Sequence, residues 1–239
     1  MDLSYAQVKR LYKKKKYKFC TGTYNLNIFG IRDTCFENDT FNDYIGIAYE
    51  DDLCQKKVDL YPGTTDPGVH WLRNPLSKSG CIIMLEGQYK GCYKIGIHGR
   101  TGNFSYESLE QCAPMDYVRD NNKDDVLDID LSKKIKGIFK TNLHRCSKWK
   151  IVRYIGRYSA GCQVIQDPKH FDELMITAKR QQSLGWGDKF SYRHFVEILQ
   201  NNVTDSFYFR FKVILAFLKW KDVKNCYHRC RWGWTSSHS

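Results

Sequence analysis

Apolar residues near the start of the chain repeat at the spacing of a helix. They are Leu3, Val8, Leu11 and Tyr12, and the possible N-caps Asp2 and Ser4 lie beside them. The basic run KRLYKKKKYK, residues 9–18, overlaps this pattern. We therefore predict a short basic amphipathic helix within an N-terminal segment, residues 1–19.

After residue 25 the apolar residues occur in short runs that are rich in β-branched and aromatic side chains. Gly, Asn and Asp interrupt the runs, which read YNLNIFGIRD, DYIGIAYEDD, GCIIMLEGQYKGCYKIGIHG, DYVRDNNKDDVLDID and IKGIFKTNLHR. Such runs are typical of strands in a mixed or antiparallel sheet. We predict an α+β fold in which a β-rich mixed sheet domain covers residues 20–182.

The helical spacing returns in DPKHFDELMITAKRQQ. Asp167 is a suitable N-cap, Pro168 suits the first helical position, and an apolar face follows: Phe171, Leu174, Met175 and Ala178. SLGWGD, residues 183–188, is typical of a hinge. The segments KFSYRHFVEILQNN and FYFRFKVILAFLKWKDV follow it, and we expect residues 183–239 to form a small aromatic and basic C-terminal subdomain.

The net charge of +12 predicts attraction to polyanions. Nucleic acid, an anionic membrane and anionic cell-wall polymers all remain candidates. The longest apolar run, FKVILAFL at residues 211–218, is too short to span a bilayer, so we expect no transmembrane segment.

Ten cysteines could form disulfides in an exported protein. The first twenty residues, however, are basic and lack the continuous apolar segment of a signal peptide. We expect synthesis in a reducing cytosol, with most cysteines acting as small buried hydrophobic residues.

The stretch YIGRYSAGCQV places three small residues before Cys162, which is typical of a tight turn that presents a thiol. A thiol nucleophile needs a base or a positive neighbour that lowers its pKa, and donors for the oxyanion. His144 precedes Cys162 by eighteen positions, with a predicted strand WKIVRYIG between them. Backbone N–H groups of residues 160–162 could bind the oxyanion.

His144 followed by IGRYSAGC resembles the pattern of the L,D-transpeptidase catalytic domain of the YkuD type. The ordered blocks NIFGIR, TDPG, GQYKGCYKIGIHG, NLHR and SAGCQV are also similar to uncharacterised bacteriophage proteins near this fold, over roughly residues 17–182. The resemblance implies Cys162 as nucleophile, His144 as general base, and Ser159 and Gly161 as turn residues. The chain departs from the family at Ala160, where a histidine is usual, and at Val164.

The resemblance further implies a cysteine-dependent hydrolase or transpeptidase acting on peptidoglycan stem peptides. We expect a phage-encoded thiol peptidase, L,D-carboxypeptidase-like or transpeptidase-like, that degrades the bacterial cell wall. It would be made in the cytosol of an infected bacterium and would act after release at lysis or as a virion component. We expect substrate contacts from residues near the turn, the base or a strand end, namely His98, Arg145, Gln163 and Trp71.

We expect no metal or cofactor, although other readings stay open. Asp66, His70, His98 and His144 could converge on zinc, but no paired ligand spacing supports this. DNNKDD, residues 120–125, has oxygen ligands at alternate positions like a calcium loop, without its glycine and closing glutamate. CYHRC, residues 226–230, has only half the cysteine spacing of a metal site, which favours an accidental pair. A nucleic-acid-binding protein, or a non-catalytic virion or host-interaction protein with a degenerate fold, are the alternative functions.

Overall fold

The structure, a computed structural model, describes residues 2–34, 39–99 and 105–197. In this part of the chain the α-helices are α1 (Tyr5–Lys14), α2 (Val69–Arg73) and α3 (Pro168–Ser183), and Leu131–Lys133 forms a short 3-10 helix. The strands are β1 (Asn27–Asp33), β2 (Asp43–Glu50), β3 (Lys56–Thr64), β4 (Cys81–Met84), β5 (Gly87–His98), β6 (Tyr106–Gln111), β7 (Met115–Asp120), β8 (Ile135–Gly137), β9 (Leu143–Arg145), β10 (Gln163–Ile165) and β11 (Lys189–Glu197). The predicted α+β class, dominated by a sheet with few helices, is confirmed.

Eight strands form a closed barrel in the order β1-β11-β5-β6-β9-β10-β3-β2. The β1–β11 and β9–β10 pairs are parallel, and the other pairs of the barrel are antiparallel. The remaining strands form a small antiparallel sheet in the order β4-β7-β8. The mixed strand directions that the sequence predicts therefore arise from the two parallel pairs, β1–β11 and β9–β10.

Helix α1 begins with a capping box, as the sequence predicts. The side chain of Ser4 accepts a hydrogen bond from the Gln7 N–H, and the Gln7 side chain accepts one from the Ser4 N–H. Tyr5, Val8 and Tyr12 are buried in a cluster with apolar residues of β1, β2 and β11. The helix ends at Lys14, before residue 19, because the chain then turns through Lys16 at φ +57°.

Helix α3 also follows its sequence signals. The Asp167 side chain accepts a hydrogen bond from the Lys169 N–H, and Pro168 occupies the first turn. The predicted apolar face is buried with the barrel residues in one core cluster. Gln181, on the same helix, accepts a 3.0 Å hydrogen bond from the Leu26 N–H.

Two expectations about chain organisation are corrected. The barrel does not end at residue 182, because β11 closes it between β1 and β5. The segment WKIVRYIG, predicted as a strand, is a loop whose only bridge among the described residues joins Tyr154 to Thr40. The rest of the expected C-terminal subdomain, including FYFRFKVILAFLKWKDV and CYHRC, lies outside the described residues.

Candidate active site

The parallel pairing of β9 with β10 brings His144 near Cys162. His144 lies level with Val164 in this register, and Cys162 precedes Val164 by two residues. Cys162 lies one residue before β10, so this register places it within two residues of the position level with His144.

The turn before Cys162 is held by Ser159. Its buried hydroxyl donates a 2.8 Å hydrogen bond to the Cys162 carbonyl and accepts a 3.2 Å hydrogen bond from the Gly161 N–H. Gly161 has φ +115°, and a Cβ at this position would lie 2.4 Å from the carbonyl oxygen of Ile82. The turn therefore requires glycine both for its backbone conformation and for its contact with β4.

Cys162 is half-buried, and its thiol lies beside two backbone groups of the segment that precedes β9. Its Sγ donates weakly to the Lys140 carbonyl at 3.7 Å. The Asn142 N–H donates to the same carbonyl at 3.0 Å and also interacts with the sulfur. Burial raises the pKa of Cys162 to about 11, and the Asn142 N–H only partly offsets this effect. The expectation that the base lowers the pKa of this thiol is wrong for the resting state.

The backbone N–H of Cys162 is a possible oxyanion donor. It has no hydrogen-bond acceptor among the described residues. The antiparallel pairing of β10 with β3 ends at Val164, so it does not extend to Cys162. The Gly161 N–H, a second oxyanion donor predicted from the sequence, already donates a hydrogen bond to the Ser159 hydroxyl.

The imidazole of His144 is only 3% exposed. Its Nδ1 lies 2.7 Å from the Arg145 carbonyl oxygen and 3.3 Å from the Tyr106 hydroxyl. Because a carbonyl only accepts, Nδ1 carries the proton, and Nε2 is left with a lone pair. Burial, followed by the charge of His98, lowers the pKa of His144 to about 3. His144 is therefore a neutral base, and no hydrogen bond joins it to Cys162.

His98, the last residue of β5, stacks on His144. The ring centroids are 4.0 Å apart with an interplanar angle of 21°. Its Nδ1 lies 3.3 Å from the side-chain Nδ2 of Asn142. Burial lowers the pKa of His98 as well, so both stacked rings are neutral at pH 7. The structure thus brings Cys162, His144 and His98 together.

The other expected substrate contacts, Arg145, Gln163 and Trp71, each bind another part of the chain. Arg145 stacks its guanidinium 3.8 Å above the Tyr106 ring and is half-buried. Gln163 is fully buried and accepts a 2.7 Å hydrogen bond from the Tyr192 hydroxyl, so it faces the interior instead of a substrate. Trp71, on α2, donates to the Arg157 carbonyl at 3.1 Å, which is a contact with the loop before the turn.

Two residues of this site were missed from the sequence. Tyr106 lies opposite His98 across the β5–β6 pair, which only the strand register reveals. Asn142 lies two residues before His144, so strand alternation alone could have placed both on one face.

The four possible zinc ligands do not converge, because only His98 and His144 lie together. Asp66 pairs with the buried Arg32, whose Nε lies 2.6 Å from the carboxylate, and His70 packs against Trp71. In the ranges that the structure describes, no group of three His, Cys, Asp or Glu side chains is placed to hold a metal ion. Side chains in the 120–125 loop bond to each other and to nearby backbone N–H groups.

Arg32 also lies beside a second buried carboxylate, that of Asp43. Asp43 accepts hydrogen bonds from the Thr65 N–H and hydroxyl, both at 2.7 Å. Arg32 itself donates to the Met84 and Thr65 carbonyls. Burial, with the neighbouring Asp66 charge, raises the pKa of Asp43. This cluster ties β1, β2 and the loop after β3 together inside the barrel.

No helix in the described part of the chain is long and apolar enough to cross a membrane. Comparisons of the chain with protein-family models, with curated proteins and with solved structures give no match.

Proposed function

We propose that the chain is a cysteine-dependent, peptidoglycan-processing enzyme of L,D-transpeptidase-like type. It cleaves, or less readily exchanges, an amide bond in stem peptides, and it is phage-encoded and acts on the bacterial cell wall. One observation supports the proposal: in the β9–β10 register, a histidine whose Nε2 is unprotonated lies within two residues of the position of a thiol that follows a glycine turn.

The reaction begins when the Cys162 thiol leaves the Lys140 carbonyl and gives its proton to Nε2 of His144. The sulfur then bonds to the substrate carbonyl carbon, and the Cys162 N–H binds the oxyanion. Collapse breaks the C–N bond, and His144 returns the proton to the leaving amine. Water then gives a proton to His144 and its oxygen bonds to the thioester carbon. The C–S bond breaks, His144 returns the proton to the sulfur, and the carboxylic acid is released.

The two pKa values favour this general-base route over a resting thiolate–imidazolium pair. A thiol with a pKa near 11 and an imidazole with a pKa near 3 are both neutral at pH 7. The proton therefore moves during attack, as it does when histidine activates a hydroxyl nucleophile.

The composition of the loop between His144 and Cys162 favours binding to an anionic partner. Residues 146–166 contain no Asp or Glu. Lys148, Lys150, Arg153 and Arg157 have no carboxylate partner in the part of the chain that the structure describes. Trp149, in the same loop, is 81% exposed. A cationic, aromatic loop next to the thiol suits an anionic cell-envelope polymer.

The test is incubation with defined muropeptides, followed by mass spectrometry of the peptides and of the intact protein. We expect a shortened stem peptide from the wild type and none from Cys162→Ala, while the matched control Cys54→Ala, at an exposed turn, keeps full activity. His144→Ala should lower the rate about 10²–10⁴-fold. Equal product from wild type and Cys162→Ala would exclude the mechanism.

The second candidate is a non-catalytic virion or host-interaction protein with a degenerate form of this fold. The raised pKa of Cys162 and the lack of a Cys162–His144 hydrogen bond favour it. It predicts equal binding of wild type and Cys162→Ala to purified cell walls, with no turnover by either. Tight, steeply salt-dependent binding to DNA or RNA would instead indicate a nucleic-acid-binding protein.

A further inference from the structure

Asn142 connects the thiol to the second histidine of the site. Its backbone N–H, which donates to the Lys140 carbonyl at 3.0 Å, also interacts with the Cys162 sulfur, and its side-chain Nδ2 lies 3.3 Å from Nδ1 of His98. The side-chain Oδ1 accepts a 3.0 Å hydrogen bond from the Gln111 N–H. Because a backbone N–H can only donate, the oxygen of the amide faces Gln111 and the NH₂ group faces His98.

This orientation decides where His98 carries its proton. The NH₂ group donates to Nδ1 of His98, so Nδ1 is the acceptor and the proton lies on Nε2. His144 has the opposite arrangement, since its Nδ1 donates to the Arg145 carbonyl. The two stacked rings therefore differ in role: Nε2 of His144 accepts a proton, and Nε2 of His98 donates a hydrogen bond.

The Nε2–H of His98 has no acceptor among the described residues. His98 is half-buried, at the end of a strand, where a donor remains accessible to a ligand. Ala160, in the turn itself, contributes only a methyl group. The single backbone N–H of Cys162 would otherwise be the only donor in this cluster for a developing oxyanion.

We propose that His98 is a catalytic residue whose Nε2–H binds the carbonyl oxygen that Cys162 attacks. This inference rests on the proposed function. As the C–S bond forms, the carbonyl electron pair moves to oxygen, which accepts hydrogen bonds from His98 Nε2–H and from the Cys162 N–H. The His98 proton stays on its ring throughout, and His144 carries the transferred proton.

The test compares two reactions of the same thiol at pH 8. p-Nitrophenyl acetate acylates Cys162 through an oxyanion: the C–S bond forms, the C–O bond breaks, and p-nitrophenolate leaves. Iodoacetamide alkylates Cys162 by displacing iodide from a saturated carbon, so no oxyanion forms. A donor to the oxyanion accelerates the first reaction only, whereas a structural or basic role affects both.

We expect His98→Phe, which keeps an aromatic ring on His144 but has no donor, to lower acylation about 10²–10³-fold. Alkylation should stay within about twofold, since it needs no oxyanion donor. His98→Gln, which keeps an N–H near the same position, should recover most of the acylation rate. The control His70→Phe, on α2 beside Trp71, should change neither reaction.

The outcomes separate this inference from the proposed function. If His98→Phe lowers both rates equally, or lowers neither, His98 is not an oxyanion donor, even when acylation still depends on His144. If wild type and His144→Gln are acylated at the same rate, the proposed function fails and the role of His98 fails with it.

Discussion

The pH dependence of Cys162 alkylation tests the physical argument most directly. Burial sets the pKa of this thiol near 11, with only the Asn142 N–H opposing it. Only the thiolate reacts with iodoacetamide. We therefore expect the alkylation rate of Cys162 to rise about tenfold per pH unit through neutrality, without a plateau below about pH 10.

The expected difference in alkylation rate between Cys162 and free cysteine follows from two opposing factors. At pH 8 a thiol of pKa about 11 is about 0.1% thiolate, whereas a free cysteine of pKa about 8.5 is about one quarter thiolate. The more basic thiolate is intrinsically about 13-fold more nucleophilic, given a Brønsted slope of about 0.45. Cys162 should therefore react about 20-fold more slowly than free cysteine at pH 8.

The assay is a timed iodoacetamide reaction, quenched and mapped cysteine by cysteine by mass spectrometry. Alkylation of Cys54, which is exposed, serves as the internal control for the activity of the reagent at each pH. In His144→Gln the midpoint should stay near pH 11, because a neutral imidazole places no charge beside the sulfur. A rate for Cys162 that levels off below pH 7, and loses this plateau in His144→Gln, would refute the reasoning and establish a thiolate–imidazolium pair.

Three further outcomes are measurable by urea denaturation. His144 has a folded pKa of about 3, below its unfolded value, so its contribution to stability is present above pH 6.5 and lost as the pH falls towards 3. His144→Gln should reduce this acid sensitivity by up to about 5 kcal/mol. Gly161→Ala should lower the free energy of unfolding by about 3 kcal/mol, because of its positive φ and its clash with Ile82. The control Gly156→Ala, at φ +52° with open space around it, should lower it by about 1 kcal/mol. Equal losses would exclude the clash. Arg32→Met should cost about 3–5 kcal/mol at pH 7 and less at pH 5, because the pKa of the buried Asp43 beside it is raised to about 7 and this carboxylate accepts a proton between the two pH values. A loss that is the same at both pH values would contradict this charge argument.

Local signals were sufficient for much of the fold. The Ser4 cap and the spacing of Val8 and Tyr12 predicted α1, and Asp167 with Pro168 predicted the start of α3. These features depend on residues within a few positions of each other. The turn at Gly161 was also predictable, because small residues in sequence indicate a close backbone approach.

The sequence by itself determined the class of fold and both long helices, and it predicted His144 and Cys162 as the residues of a candidate site. The tertiary structure decided that β11 belongs to the barrel, since an apolar strand pattern does not specify its partner. It also reversed the expected state of the thiol: burial, which arises from contacts distant in sequence, raises the pKa of Cys162 and lowers that of His144. The proton positions on the two histidines likewise follow from strand register, which brings Asn142 to His98.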